Sequence, residues 1–141
     1  MIIMEELYHH GIIGQKWGVR RYQNADGTLT EAGKKHLNKD SDRFNKFEKN
    51  YNKKSYKLSK QQQKFQKVSK RPTITDTDLE IKRRSGAKLS KAYRSYIKSG
   101  EKFVKNYDRM KDVYGLDNLS QYQIDKGKTY TAELLKNKGT I

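Results

Sequence analysis

Few side chains in this chain could do covalent chemistry, and most of its reactive groups are cations. His9, His10 and His36 are the only imidazoles, and no Cys accompanies them. The lack of Cys excludes disulfide frameworks, thiolate catalysis and Cys-ligated zinc or iron–sulfur centres. The three His could hold a metal only without the H-E-x-x-H spacing that would support one. Asp76, Asp78 and Glu80 crowd together as the acids of a helix start, not as a separated acid and base. Gly11-Ile-Ile-Gly14 is too short to cradle a nucleotide phosphate, and no G-x-x-x-x-G-K-[ST] string occurs. No Ser or Thr has a recognisable base partner. These residues predict a non-enzymatic protein with no metal and no cofactor.

The cations are the stronger signal. Against 16 Asp and Glu stand 32 Lys and Arg, a net charge of +16 on 141 residues. Such a chain repels itself, and a polyanion relieves that repulsion. Residues 39–71 alone carry 12 Lys or Arg against 3 Asp or Glu. Lys67, Lys70 and Arg71 precede a turn, and Lys82, Arg83, Arg84 and Lys88 follow it. Brought together, these seven form a candidate nucleic-acid site. Lys predominates, which suits sequence-independent phosphate contact better than bidentate base reading by Arg. The competing reading is a solvated helical face kept soluble by Lys. An acidic protein surface is the other candidate partner. No membrane span is expected, because uncharged stretches such as Leu7–Gln15 are short. Met1–Tyr8 carries Glu5 and Glu6 and no basic leader, so secretion is not expected either.

Long helices must position these charges. Phe44, Tyr51, Leu58 and Phe65 recur every seven residues, with Phe47 and Val68 three further on. Lys54 and Gln61 are polar breaks in that heptad. Asp40, Ser41 and Asp42 can cap a helix over about 40–70, roughly 45 Å long, which Pro72 stops. Thr73, Thr75 and Asp76 offer new caps. A second stripe follows through Leu79, Leu89, Tyr93, Tyr96/Ile97, Val104, Tyr107, Met110 and Tyr114, with Gly115 as its C-terminal glycine. Gly86 and Gly100 within it mark a bend, a close crossing or a break. A short helix near 129–137, capped by Thr129 or Thr131, completes the pattern. The expected fold is mainly α, an elongated antiparallel helical hairpin with a short C-terminal helix. A homo-oligomeric coiled coil is the alternative use of the same stripes.

The segment LYHHGIIGQKWGVRRYQNADGTLTEAGKKHL precedes the helices. Asp26-Gly27 is a turn signal, and Thr30 with Glu31 opens a helix. Gly14 and Gly18 permit close backbone approach around Trp17, while Lys16, Arg20 and Arg21 can reach anionic groups. This segment reads either as a docking motif or as a microcore with Trp17 buried against the helices.

From His10 to Gly33 the string resembles the H-x-G-I-x-G-x-K-W-G-V-R-R-[YF]-Q-N-x-D-G-[ST]-L-T-x-x-G motif of tailed-bacteriophage and prophage proteins. That motif recurs near an end of small virion-associated or head-morphogenesis proteins. The resemblance implies a docking or packaging tag, phage head proteins as partners, and location in the virion or the host bacterial cytoplasm. The expected division is a motif segment over 1–38, a basic hairpin over 39–116 and a tail over 117–141. The leading expectation is a virion-associated accessory protein contacting nucleic acid or an acidic partner. The alternatives are a phage-encoded inhibitor of a host nucleic-acid-guided nuclease, or a non-specific DNA-binding protein.

Overall fold

A computed structural model describes residues 22–139. Among them three α-helices form: α1 (Glu31–Ser69), α2 (Asp76–Tyr114) and α3 (Gln121–Gly139), with a 3-10 turn at Leu116–Asn118. Helices α1 and α2 have 39 residues each, about 58 Å at 1.5 Å per residue. They pair antiparallel, as the expected hairpin requires. The only β pairing among the described residues is a single bridge between Gln23 and Leu29.

Side-chain caps fix the helix starts. Thr30 Oγ1 accepts the Gly33 N–H at 3.0 Å and opens α1. Thr75 Oγ1 accepts the Asp78 N–H at 3.1 Å, and Asp78 Oδ2 accepts the Thr75 N–H at 2.9 Å. That reciprocal pair satisfies two otherwise orphaned donors. Ser120 and Gln123 repeat the exchange at α3, with 3.1 Å and 3.0 Å bonds. At the end of α2, Gly115 takes φ +76°, a left-handed conformation that favours glycine.

Three expectations change in detail. Helix α1 begins at Glu31, not near 40, because Thr30 caps one continuous helix; Asp40 is a buried group within it and not its cap. Helix α3 begins at Gln121, because the Ser120–Gln123 exchange starts it well before Thr129. Of the alternatives open for Gly86 and Gly100, the close crossing holds at Gly100, where a Cβ would lie 3.0 Å from the Tyr51 ring, and α2 runs unbroken through both. The α2 seam also uses Phe103, fully buried, while the expected Val104 is only half-buried and Leu79 is exposed.

The chain forms two compact units, each drawing on all three helices. In the first, residues 22–45 and 104–129, the core is Phe44, Tyr107, Met110, Tyr114 and Leu119. Tyr22 stacks near His36 and Tyr114, with centroids 4.7 Å and 6.1 Å away. Gln23 Nε2 donates to the Val113 carbonyl at 3.0 Å, tying the segment before α1 to the end of α2. In the second unit, residues 46–103 and 130–139, the core is Tyr51, Leu58, Tyr96, Phe103, Tyr130 and Leu134. Phe103 meets the Tyr130 ring edge-on at 4.9 Å, and Phe65 faces Gly86. Burying these aromatics supplies most of the driving force available to a chain with so few apolar residues.

Candidate functional site

The second unit carries a groove between α1 and α2 lined by six lysines: Lys54, Lys57, Lys60 and Lys64 from α1, Lys88 and Lys91 from α2. Gln61, Ala92 and Ser95 complete its wall, and it encloses about 430 Å³. No carboxylate among the described residues lines it. Among the described residues none of the six lysines is within ion-pair distance of an acid. Their spacing follows from the helix: 54, 57, 60, 61 and 64 return to one side of α1 every three or four residues. Lys54 to Lys64 spans about 15 Å at 1.5 Å per residue. The antiparallel partner sets Lys88 and Lys91 opposite them. Lys60 Nζ lies 4.7 Å from the Tyr56 ring centroid, a cation–π contact on the solvent side of α1.

The expected loop-end cluster is unevenly free. With Phe65 against Gly86, the hairpin brings the cluster's two halves to the same end of the unit. Lys67, Lys70 and Arg71 are exposed there. Arg83 and Arg84 both bind Glu80, at 2.7 Å and 2.8 Å. The three hydrogen bonds from these two guanidinium groups hold the Glu80 carboxyl down to about 2. Lys82 lies near Asp78, whose carboxyl is lowered first by the backbone N–H groups of Thr75 and Ile74. Lys88 alone of the seven belongs to the lysine groove.

Lys54, Lys57, Lys60, Lys64 and Lys91 were not among the residues expected to bind. Their signal was present in the heptad itself. Lys54 and Gln61 occupy d positions, and both line the groove. Polar groups at seam positions mark where the two helices part.

The remaining buried polar groups hold structure together. The Tyr51 and Tyr96 hydroxyls lie 2.6 Å apart, and Tyr51 also donates to Glu133 at 2.8 Å. Asn137 Nδ2 donates to the Tyr96 hydroxyl at 3.0 Å. Burial, then the bonds to Tyr96 and Glu133, push the Tyr51 hydroxyl above the usual tyrosine range. The hydroxyl thus ties α1 to Tyr96 of α2 and Glu133 of α3. Among the described residues no group of three or more His, Cys, Asp or Glu side chains is placed to hold a metal. No helix there is long and apolar enough to cross a membrane.

Of the motif, Gly14, Lys16, Trp17, Gly18, Arg20 and Arg21 lie outside the described residues. The half from Tyr22 to Gly33 is a tight clasp. Asp26 Oδ1 accepts from the Thr28 N–H at 2.9 Å and its hydroxyl at 2.6 Å, and Gly27 takes φ +87°. Asn24 Nδ2 donates to Thr28 Oγ1 at 2.9 Å. Gly33 sits against the Tyr22 carbonyl with no space for a Cβ. The spacing Y-Q-N-x-D-G-T-L-T-x-x-G is thus what this turn and its seat on α2 require.

No protein-family model matches the chain, and neither a curated protein nor a solved structure is significantly similar to it.

Proposed function

We propose that this chain is a non-enzymatic nucleic-acid-backbone binder of phage or prophage type, a virion-associated accessory protein. The observation that carries the binding reading is the groove of six lysines that, among the described residues, have no acid partner and no acid beside them in the wall. Two facing rows of ammonium groups follow a phosphate backbone and read no bases. The loop-end cations Lys67, Lys70 and Arg71 extend the positive field, with Lys82, Arg83 and Arg84 as its partly compensated flank. The phage attribution rests on the motif from His10 to Gly33. Within it, the clasp from Tyr22 to Gly33 supports a structural role for that half. Docking to head proteins then belongs to Gly14, Lys16, Trp17, Gly18, Arg20 and Arg21.

Fluorescence anisotropy with labelled DNA at graded salt tests the binding reading. Six phosphate contacts give a slope of log K against log salt of about −5. Binding indifferent to salt would remove it. Mass spectrometry of purified virions tests the second half: the chain should be found in the particle. A stoichiometric host nuclease complex recovered in place of head proteins would reassign the same groove to inhibition of that machine.

A further inference from the structure

The opposite side of the same unit is apolar. Leu58 of α1 and Leu89, Tyr93 and Ile97 of α2 floor a groove of about 660 Å³, with Arg94 and Lys98 exposed at its rim. The α2 residues of this groove and those of the lysine groove form separate sets. At 3.6 residues per turn the two sets centre roughly 150° apart around the helix.

Helix α3 ends at the edge of this groove. The Tyr93 hydroxyl donates to the Asn137 carbonyl at 2.9 Å, and Lys138 Nζ sits 2.7 Å from Glu101. Before that point α3 covers the hairpin: Tyr130 packs on Tyr51, and Leu134 lies beside Gly100. Past its last turn, no described residue covers the continuation of the same seam. Phe65 and Val68 are half-buried, and Leu79 and Ile81 are exposed. From Leu58 to Val68 the open seam is about 15 Å long at 1.5 Å per residue, two to three helical turns.

We infer that this groove seats a short amphipathic helix of another protein, with acidic residues flanking its apolar stripe. The shape comes from continuity: the groove prolongs the seat that α3 already occupies. The charge comes from the rim. Among the described residues Glu101 is the only carboxylate in the lining, and its pairing with Lys138 leaves Arg94 and Lys98 without an acid partner there. A second copy would bring another +16 and meet like charge, so the occupant is acidic. A helix laid into an apolar groove by i, i+3, i+4 and i+7 anchors is a recurring recognition mode.

The test is fluorescence anisotropy of the full chain with a labelled synthetic amphipathic helix of Leu and Glu. Two controls accompany it: the same peptide with Lys for Glu, and a scrambled peptide of equal composition. The acidic amphipathic peptide should bind saturably and the controls should not. Reversing the exposed rim, Arg94→Glu with Lys98→Glu, should weaken binding about tenfold or more, and Leu89→Glu should abolish it with helicity unchanged. Lys57→Gln, Lys60→Gln and Lys64→Gln on the other face should change it less than about twofold, while weakening DNA binding. The inference is overturned by no saturable binding, by equal binding of the scrambled peptide, or by equal loss in the lysine-face variant. It is also overturned by a dimer that Leu89→Glu disrupts, which would seat a second copy there.

Discussion

Gly127 of α3 lies flush against the buried ring of Tyr107 on α2, so that a Cβ there would overlap three ring carbons. Gly100 is less crowded: a Cβ there would lie 3.0 Å from the Tyr51 ring and 3.3 Å from Leu134. Gly86 has ordinary room, since a Cβ there would lie 3.6 Å from Phe65. Alanine at the three sites should therefore give three different results. Helix propensity favours Ala over Gly by about 1 kcal/mol, while forcing a methyl into a closed contact costs about 1–3 kcal/mol. Gly86→Ala should stabilise by up to about 1 kcal/mol. Gly100→Ala should fall near zero. Gly127→Ala should destabilise by about 2 kcal/mol. Urea unfolding of the three variants checks the order.

Asp40 anchors the first unit. Its carboxylate is buried, accepts the Tyr114 hydroxyl, and pairs with Arg109 at 2.5 Å and Arg43 at 3.6 Å. Asp40→Ala leaves a buried hydroxyl without its acceptor and should cost about 2–3 kcal/mol. Tyr114→Phe removes only the bond and should cost about 1 kcal/mol. Thermal unfolding separates the two.

Alkaline stability follows from three tyrosines. Burial is the first cause raising the Tyr51, Tyr107 and Tyr114 hydroxyls above the usual range, aided at Tyr51 by Tyr96 and at Tyr114 by Asp40. A folded value above the unfolded one, near 10, stabilises fully below that pH and is lost as pH rises past it. Tyrosinate absorbance should therefore show these three titrating last, together with unfolding. Titration of all tyrosines near pH 10 with the fold intact would contradict this.

The helical hairpin was legible because Phe44, Tyr51 and Leu58 repeat at a strict seven, and all three are buried. The boundaries were not, because capping is a contest between neighbouring hydroxyls and acids that local sequence does not decide. Asp40 resembles a cap, yet Arg109 and Tyr114, far along the chain, recruit it into the core. Arg83 and Arg84 read as free cations for the same reason. Only the helical turn shows that both reach one carboxylate, Glu80. The lysine groove was half visible, as the polar breaks at Lys54 and Gln61.

Glu80 restrains the loop-end field. Glu80→Gln releases both guanidinium groups and should raise DNA affinity several-fold at low salt, with a slope steeper by about one or two counterions. The carboxyl of the parent chain, held to about 2, stays ionised through the normal Glu range and loses its pairing as pH falls toward 2. Side-chain NMR titration of Glu80 reads that value directly.

Anisotropy titration of labelled DNA from about 50 to 200 mM salt, on the parent chain and on a Lys57→Gln, Lys60→Gln, Lys64→Gln, Lys91→Gln variant, puts the lysine groove to its most direct test. The parent should lose about a thousandfold in affinity over that range, and the slope should shrink from about −5 to about −2 in the variant. An unchanged slope in a folded variant would show that these lysines do not hold the phosphates.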